Sequence, residues 1–68
     1  MPVVIYGKDS CPYTADAREH YGSRGEVHYI NIKKDAAALH RMLELTGGQR
    51  RVPVIVEDGT VTIGFGGT

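Results

Sequence analysis

The chain of 68 residues contains one cysteine, Cys11, and this thiol is its most evident candidate for chemistry. A polar loop, Lys8-Asp9-Ser10, precedes it, and Pro12 follows with the fixed φ that suits the first position of a helix. Free N–H groups and the positive end of a helix dipole stabilise an anion there, and Lys8 adds positive charge. These effects favour the thiolate, which is the nucleophilic form of cysteine. The polar neighbours also predict an exposed Cys11, whereas many lone cysteines are buried and inert.

Pro53 is the second notable residue, and it stands between Val52 and Val54. A proline at the start of a strand is ordinarily an edge or turn residue. A cis peptide bond before it would instead present the Val52 backbone to an extended partner.

The pattern of apolar residues and turn signals predicts six elements in the order β-α-β-α-β-β. Gly22 and Gly25 end the first helix, Asp35 caps the second, and Asp58-Gly59 joins the last two strands as a hairpin. The predicted strands are Pro2–Tyr6, Val27–Ile32, Val54–Val56 and Val61–Ile63. The first predicted helix begins at Pro12, and the second spans Ala36–Thr46. A βαβ crossover makes the first two strands parallel, so we expect an α/β fold with a four-stranded mixed sheet. Residues 1–68 form one domain in this prediction.

Composition excludes several classes of protein. A single cysteine excludes an intramolecular disulfide and a closed zinc site with several thiolates. Eight basic and eight acidic residues cancel, so charge gives no indication of nucleic-acid or membrane binding. No apolar run is long enough to span a membrane, and the three histidines lack a usual metal-ligand spacing. We therefore expect a cytoplasmic domain without metal, with Lys33-Lys34 on a solvated loop.

Two segments together resemble the glutaredoxin family. Tyr6-Gly7-Lys8-Asp9-Ser10-Cys11-Pro12-Tyr13-Thr14 is similar to its active-site segment, and Arg50-Arg51-Val52-Pro53 is similar to its Arg-Thr-Val-Pro segment. The resemblance extends over nearly the whole chain and implies a thioredoxin-like fold. Members of that family continue into a C-terminal helix, which is missing or vestigial here. The resemblance therefore predicts one uncovered sheet face that would suit a dimer contact.

The resemblance also implies a role for each matching residue. Cys11 would be the catalytic nucleophile of a thiol–disulfide oxidoreductase, with Pro12 and Thr14 supporting it. Tyr13 would line the site of sulfur exchange, and Pro53 would be cis. Glutathione would be the co-substrate, and the residues implied to bind it are Lys8, Tyr13, Arg50, Val52, Pro53, Gly66 and Gly67. The partners of the protein would be glutathione and glutathionylated or disulfide-bearing proteins.

Thr14 stands where two-cysteine members of the family carry the second cysteine, so the resemblance implies a monothiol mechanism of electron transport from glutathione. Two alternatives remain open: a hydrogen donor served by thioredoxin reductase, suggested by Gly64-Phe65, and a dimeric iron–sulfur cluster carrier. The Cys-Pro-Tyr-Thr and Gly-Phe-Gly-Gly-Thr segments also resemble compact bacterial glutaredoxin-like proteins with selenocysteine at the position of Cys11.

Overall fold

The fold is a four-stranded mixed sheet with one helix against each face, in a computed structural model that describes residues 2–66. Four strands and two helices follow one another as β1 (Val3–Gly7), α1 (Pro12–Gly22), β2 (Val27–Asn31), α2 (Ala36–Thr46), β3 (Val54–Glu57) and β4 (Thr60–Ile63). This order and the thioredoxin-like α/β architecture confirm the prediction, although each strand differs from it by one residue: β1 at both ends, β2 and β3 at their last residue, and β4 at its first.

The sheet has the strand order β2-β1-β3-β4. β1 runs parallel to β2 and antiparallel to β3, and β3 forms the predicted hairpin with β4. Asp58 and Gly59 both have positive φ values, 49° and 80°, as a tight hairpin turn requires. Because β1 and β3 are antiparallel, the end of β1 and the start of β3 lie at the same edge of the sheet.

Helix α1 packs on one face of the sheet through Ala17, against Val3, Ile5 and Ile55. Its buried residues are Thr14 and Ala17, whereas Tyr13 is 39% exposed. The core-facing stripe of α1 therefore passes through Thr14 and Ala17, and Tyr13 lies outside it. Phe65 packs on the same cluster and covers part of this face beyond the helix.

Helix α2 packs on the opposite face, where Met42 is completely buried against Tyr6 and Val54. Its ends form as predicted. The Asp35 carboxylate accepts hydrogen bonds from two backbone N–H groups of the first turn, at 3.1 and 3.2 Å. Gly47 ends the helix with a left-handed φ of 71°.

The expectation of one uncovered sheet face is wrong for residues 2–66, because each face has a helix and a buried apolar cluster. The large apolar side chains exposed in this region are Tyr13 and Leu45, and neither lies on the sheet. After β4 the described chain forms no further helix. The dimer contact expected at such a face stays a prediction.

Candidate active site around Cys11

Cys11 is the N-cap residue of α1, with extended backbone angles of −91° and 116°. Its backbone N–H donates to the Lys8 carbonyl at 3.2 Å, and its carbonyl accepts from Ala15 N at 3.2 Å, the first bond of the helix. Pro12 occupies the first helical position, as predicted. The thiol is only 9% exposed, so the expectation of an exposed cysteine is wrong. The reason is that, at the N-cap position, the Cys11 side chain packs against Tyr13 and Thr14 in the first turn of α1.

The Cys11 thiol nevertheless has a lowered pKa. Burial raises this pKa, but four other interactions outweigh burial: the Thr14 hydroxyl, the Thr14 and Tyr13 backbone N–H groups, and the charge of Lys8. The backbone N–H groups are those that the first turn of a helix leaves without intrahelical partners. The site therefore favours the thiolate, and this supports the reactive interpretation of Cys11 over the inert one.

Thr14 is the most unusual residue of the site because its hydroxyl is buried without an ordinary hydrogen bond. The side chain is 1% exposed, and Oγ1 has no partner of normal geometry within residues 2–66. The same hydroxyl acts on the Cys11 sulfur and lowers its pKa. A thiolate accepts hydrogen bonds far better than a thiol, so this hydroxyl is placed to gain a partner when Cys11 ionises.

Gly7 leaves the space that Thr14 occupies. A Cβ at residue 7 would overlap the Thr14 Cγ2 and lie 2.7 Å from its Oγ1. Gly7 ends β1 with an ordinary φ, so its lack of a side chain serves packing and not a turn. Sequence reasoning treated Gly7 only as the boundary of a strand.

Tyr29 and Asp9 are functional candidates that sequence reasoning missed. The Tyr29 hydroxyl, on β2, donates to an Asp9 carboxylate oxygen at 2.8 Å and so ties the loop before Cys11 to the sheet. Burial and this hydrogen bond raise the pKa of Tyr29 to about 12. The Arg18 guanidinium lies 4.0 Å from the centre of the Tyr29 ring. No local motif marks this pair, because 20 residues separate its members.

Val52 and Pro53 lie beside the Cys11 loop because of the sheet register. Tyr6, near the end of β1, pairs with Val54, the residue after Pro53, and Val52 lines the same groove as Lys8. The Val52–Pro53 peptide bond is cis. The Pro53 carbonyl accepts from Gly64 N at 2.7 Å, whereas the Val52 backbone has no hydrogen bond within residues 2–66.

A groove of about 470 Å³ opens next to this backbone. Lys8, Arg50 and Val52 line it, so three of the residues implied to bind glutathione share one cavity. Lys33 also lines it, although sequence reasoning placed Lys33 on a solvated loop. The apolar part of the lining is Ile32, Ala36 and Leu39, with Val52.

Tyr13 and Gly66, two further residues implied to bind glutathione, lie close to each other. A Cβ at Gly66 would contact the Tyr13 ring at 3.5 Å, so the segment after β4 approaches the start of α1. Gly66 has a positive φ of 72°. Gly67, the other implied glycine, lies outside the described residues.

Within residues 2–66, no three histidine, cysteine, aspartate or glutamate side chains cluster as a metal site would need. Neither described helix is long and apolar enough to cross a membrane.

Solved structures show the same architecture. The glutaredoxin Grx-1 from Archaeoglobus fulgidus superposes with a TM-score of 0.82 at 23% identity, covering 94% of this chain and 75% of its own. Escherichia coli glutaredoxin superposes with a TM-score of 0.64 at 24% identity, covering 96% of this chain and 85% of its own. The thioredoxin-like protein BC3987 superposes with a TM-score of 0.81 at 29% identity, covering 94% of this chain and 88% of its own. No curated protein matches the chain significantly.

Fold and site together define a thioredoxin-like protein with a cysteine of lowered pKa at a helix N-terminus. The glutaredoxin family model matches residues 3–62, and the chain therefore belongs to the glutaredoxin family. It is a thiol–disulfide oxidoreductase.

Proposed function

We propose that this glutaredoxin reduces mixed disulfides with glutathione through Cys11 alone. The observation that carries the proposal is the buried Thr14 hydroxyl, which acts on the Cys11 sulfur from a position three residues along α1. A hydroxyl cannot form a disulfide, so the helix holds no second thiol to resolve one. A lone thiol that stays reduced suits a reducing compartment such as the cytoplasm.

The first step is attack on a glutathionylated protein. The Cys11 thiolate forms a bond to the glutathionyl sulfur, and the bond between that sulfur and the protein sulfur breaks. The substrate protein leaves as a thiolate and takes a proton from water. The electron pair of the broken bond leaves with the protein sulfur, which is reduced, while the Cys11 sulfur is oxidised and held in a disulfide with glutathione.

The second step restores the enzyme. The thiolate of a second glutathione attacks the glutathionyl sulfur on Cys11, glutathione disulfide forms, and Cys11 leaves as a thiolate. The lowered pKa of Cys11 makes it a good leaving group as well as an available nucleophile.

Residues around the cysteine would hold glutathione between these steps. The free Val52 backbone would pair with the cysteinyl residue, next to Pro53, and Lys8 and Arg50 would attract a carboxylate. Tyr13, with Gly66 and Gly67, would contact the other end of the tripeptide. Arg51 is also exposed but does not line the groove, so it serves as a matched control for Arg50.

The decisive experiment follows reduction of a glutathionylated peptide by glutathione, coupled to glutathione reductase. Cys11→Ser should abolish turnover while the circular dichroism spectrum is retained. Arg50→Gln should raise KM for glutathione about two- to five-fold, and Arg51→Gln should change it less. Turnover by Cys11→Ser at the normal rate would refute the proposal.

A second candidate function is reduction of disulfides with electrons from thioredoxin reductase. The similarity to the thioredoxin-like protein BC3987 favours including it. Supplying either glutathione with its reductase or thioredoxin reductase alone, both with NADPH, separates the two candidates. The glutathione proposal requires turnover only, or mainly, in the first mixture.

A further inference from the structure

The groove beside Val52 concentrates positive charge in a chain that is neutral overall. Lys8, Lys33 and Arg50 line it, and its lining contains no acidic residue. The chain has eight basic and eight acidic residues, so three of the eight cations face one cavity. The acids next to these cations along the chain have other partners: Asp9 accepts a hydrogen bond from the Tyr29 hydroxyl, and the Asp35 carboxylate accepts from the first turn of α2. The groove is thus suited to a ligand with a carboxylate.

The same groove has an apolar floor, formed by Ile32, Leu39 and Val52. All three side chains are half-buried and pack on the core cluster around Met42, so the floor belongs to the folded structure. A glycyl residue with its carboxylate would reach the cations but would leave this floor without a contact. A larger apolar side chain would cover it.

We propose that this groove binds the polypeptide on one side of a disulfide substrate, with an apolar residue beside the substrate's cysteine and a carboxylate just beyond it. The substrate's cysteine pairs with the free Val52 backbone, the apolar side chain lies on Ile32 and Leu39, and the carboxylate faces Lys33. This inference rests on the proposed thiol–disulfide exchange at Cys11 and adds a second substrate class to it, a polypeptide disulfide whose own cysteine sulfur takes the place of the glutathionyl sulfur in the groove. Lys33 is the specificity-determining residue.

A single-turnover reaction tests the groove without glutathione. The probes are short peptides whose one cysteine is in a disulfide with 5-thio-2-nitrobenzoate. The Cys11 thiolate bonds to the peptide sulfur, the old disulfide breaks, and coloured thionitrobenzoate leaves with the electron pair. Cys11 ends in a disulfide with the peptide, so one equivalent of colour appears for each enzyme.

Four peptides separate the two parts of the groove. They carry Leu or Gly beside the cysteine, combined with Glu or Gln at the next position, and the pair is placed on either side of the cysteine in separate series. In at least one series, Leu should raise the second-order rate constant about five-fold over Gly, because about half of its surface is covered. Glu should raise it about two- to five-fold over Gln, less at high salt.

Lys33 and Lys34 provide a matched pair of variants. Both are exposed lysines in the same turn, but only Lys33 lines the groove. Lys33→Glu should abolish or reverse the preference for Glu over Gln. Lys34→Glu makes the same change of charge and should keep most of that preference.

The outcomes distinguish the groove from the reaction. Equal rate constants for all four peptides in both series, or equal effects of Lys33→Glu and Lys34→Glu, would overturn the groove and leave the proposed function standing. No colour from any peptide would instead refute thiol exchange at Cys11. In that case, binding of the same peptides with serine for cysteine, followed by fluorescence anisotropy, still tests the groove: a preference for Leu and Glu supports it, and equal binding overturns it.

Discussion

Replacing Thr14 by valine tests the link between the buried hydroxyl and the thiolate. Valine keeps the shape of the side chain and removes only the hydroxyl, which is buried and lacks an ordinary hydrogen bond within residues 2–66. When Cys11 is a thiolate, the variant lacks a hydroxyl that stabilises the charge. When Cys11 is a thiol, the variant is relieved of a buried hydroxyl that has no hydrogen-bond partner. Its effects on reactivity and on stability should therefore have opposite signs near neutral pH.

The expected loss of reactivity follows from the strength of the interaction. A hydrogen bond to a charged group contributes about 1.5–3 kcal/mol. We take the lower limit for the bond from Thr14 to the Cys11 sulfur, because its geometry is not that of an ordinary hydrogen bond while Cys11 is a thiol. Each 1.36 kcal/mol corresponds to a factor of ten, so alkylation of Cys11 by iodoacetamide near pH 7 should slow about ten-fold. Thr14→Ser keeps the hydroxyl and should retain most of the rate.

The stability effect depends on pH. The folded-state pKa of Cys11 lies below its unfolded value of about 9.0, so ionisation stabilises the native state above that value. This contribution disappears as the pH falls through the folded-state pKa. At acidic pH, Thr14→Val should therefore be more stable than the unmodified protein by about 1 kcal/mol, because an unsatisfied buried hydroxyl is gone. The advantage should shrink or reverse as the pH rises past about 9.

Urea denaturation at several pH values, under reducing conditions, measures the second effect, and the pH dependence of alkylation measures the first. An unchanged alkylation profile in Thr14→Val would refute the interaction between the hydroxyl and the sulfur. An equal slowing in Thr14→Ser would show that packing, not the hydroxyl, controls the thiol.

Two further predictions concern the surroundings of the site. Gly7→Ala should destabilise the fold by about 1–3 kcal/mol in urea and slow alkylation, because its Cβ displaces Thr14, whereas Gly22→Ala meets no atom within 4 Å and should be neutral or slightly stabilising. An equal loss in both variants would contradict this packing argument. Tyr29 should ionise only near pH 12, as followed by ultraviolet absorbance, and Tyr29→Phe should remove that late titration and release Asp9. A titration of all tyrosines near pH 10 would count against the buried hydrogen bond.

Local patterns in the sequence were sufficient to predict the helices and strands and to place Cys11 at the start of a helix. Pro12 marks the start of α1, Asp35 and Gly47 mark the ends of α2, and Asp58 with Gly59 marks the hairpin. These signals act within a few residues and need no tertiary contact to operate. Helical dipole and backbone N–H groups likewise follow from the position of Cys11 at the start of α1.

Only the tertiary structure decided which side chains surround that thiol. The burial of Cys11, the fit of Thr14 against Gly7, and the bond from Tyr29 to Asp9 join elements that are distant in sequence. The lining of the groove by Lys33 but not Lys34 is of the same kind. Such contacts depend on sheet register and helix packing, which set distances that no local pattern encodes. The sequence by itself placed a cysteine at the start of a helix, and the packed sheet decided which groups lower its pKa and what lies beside it.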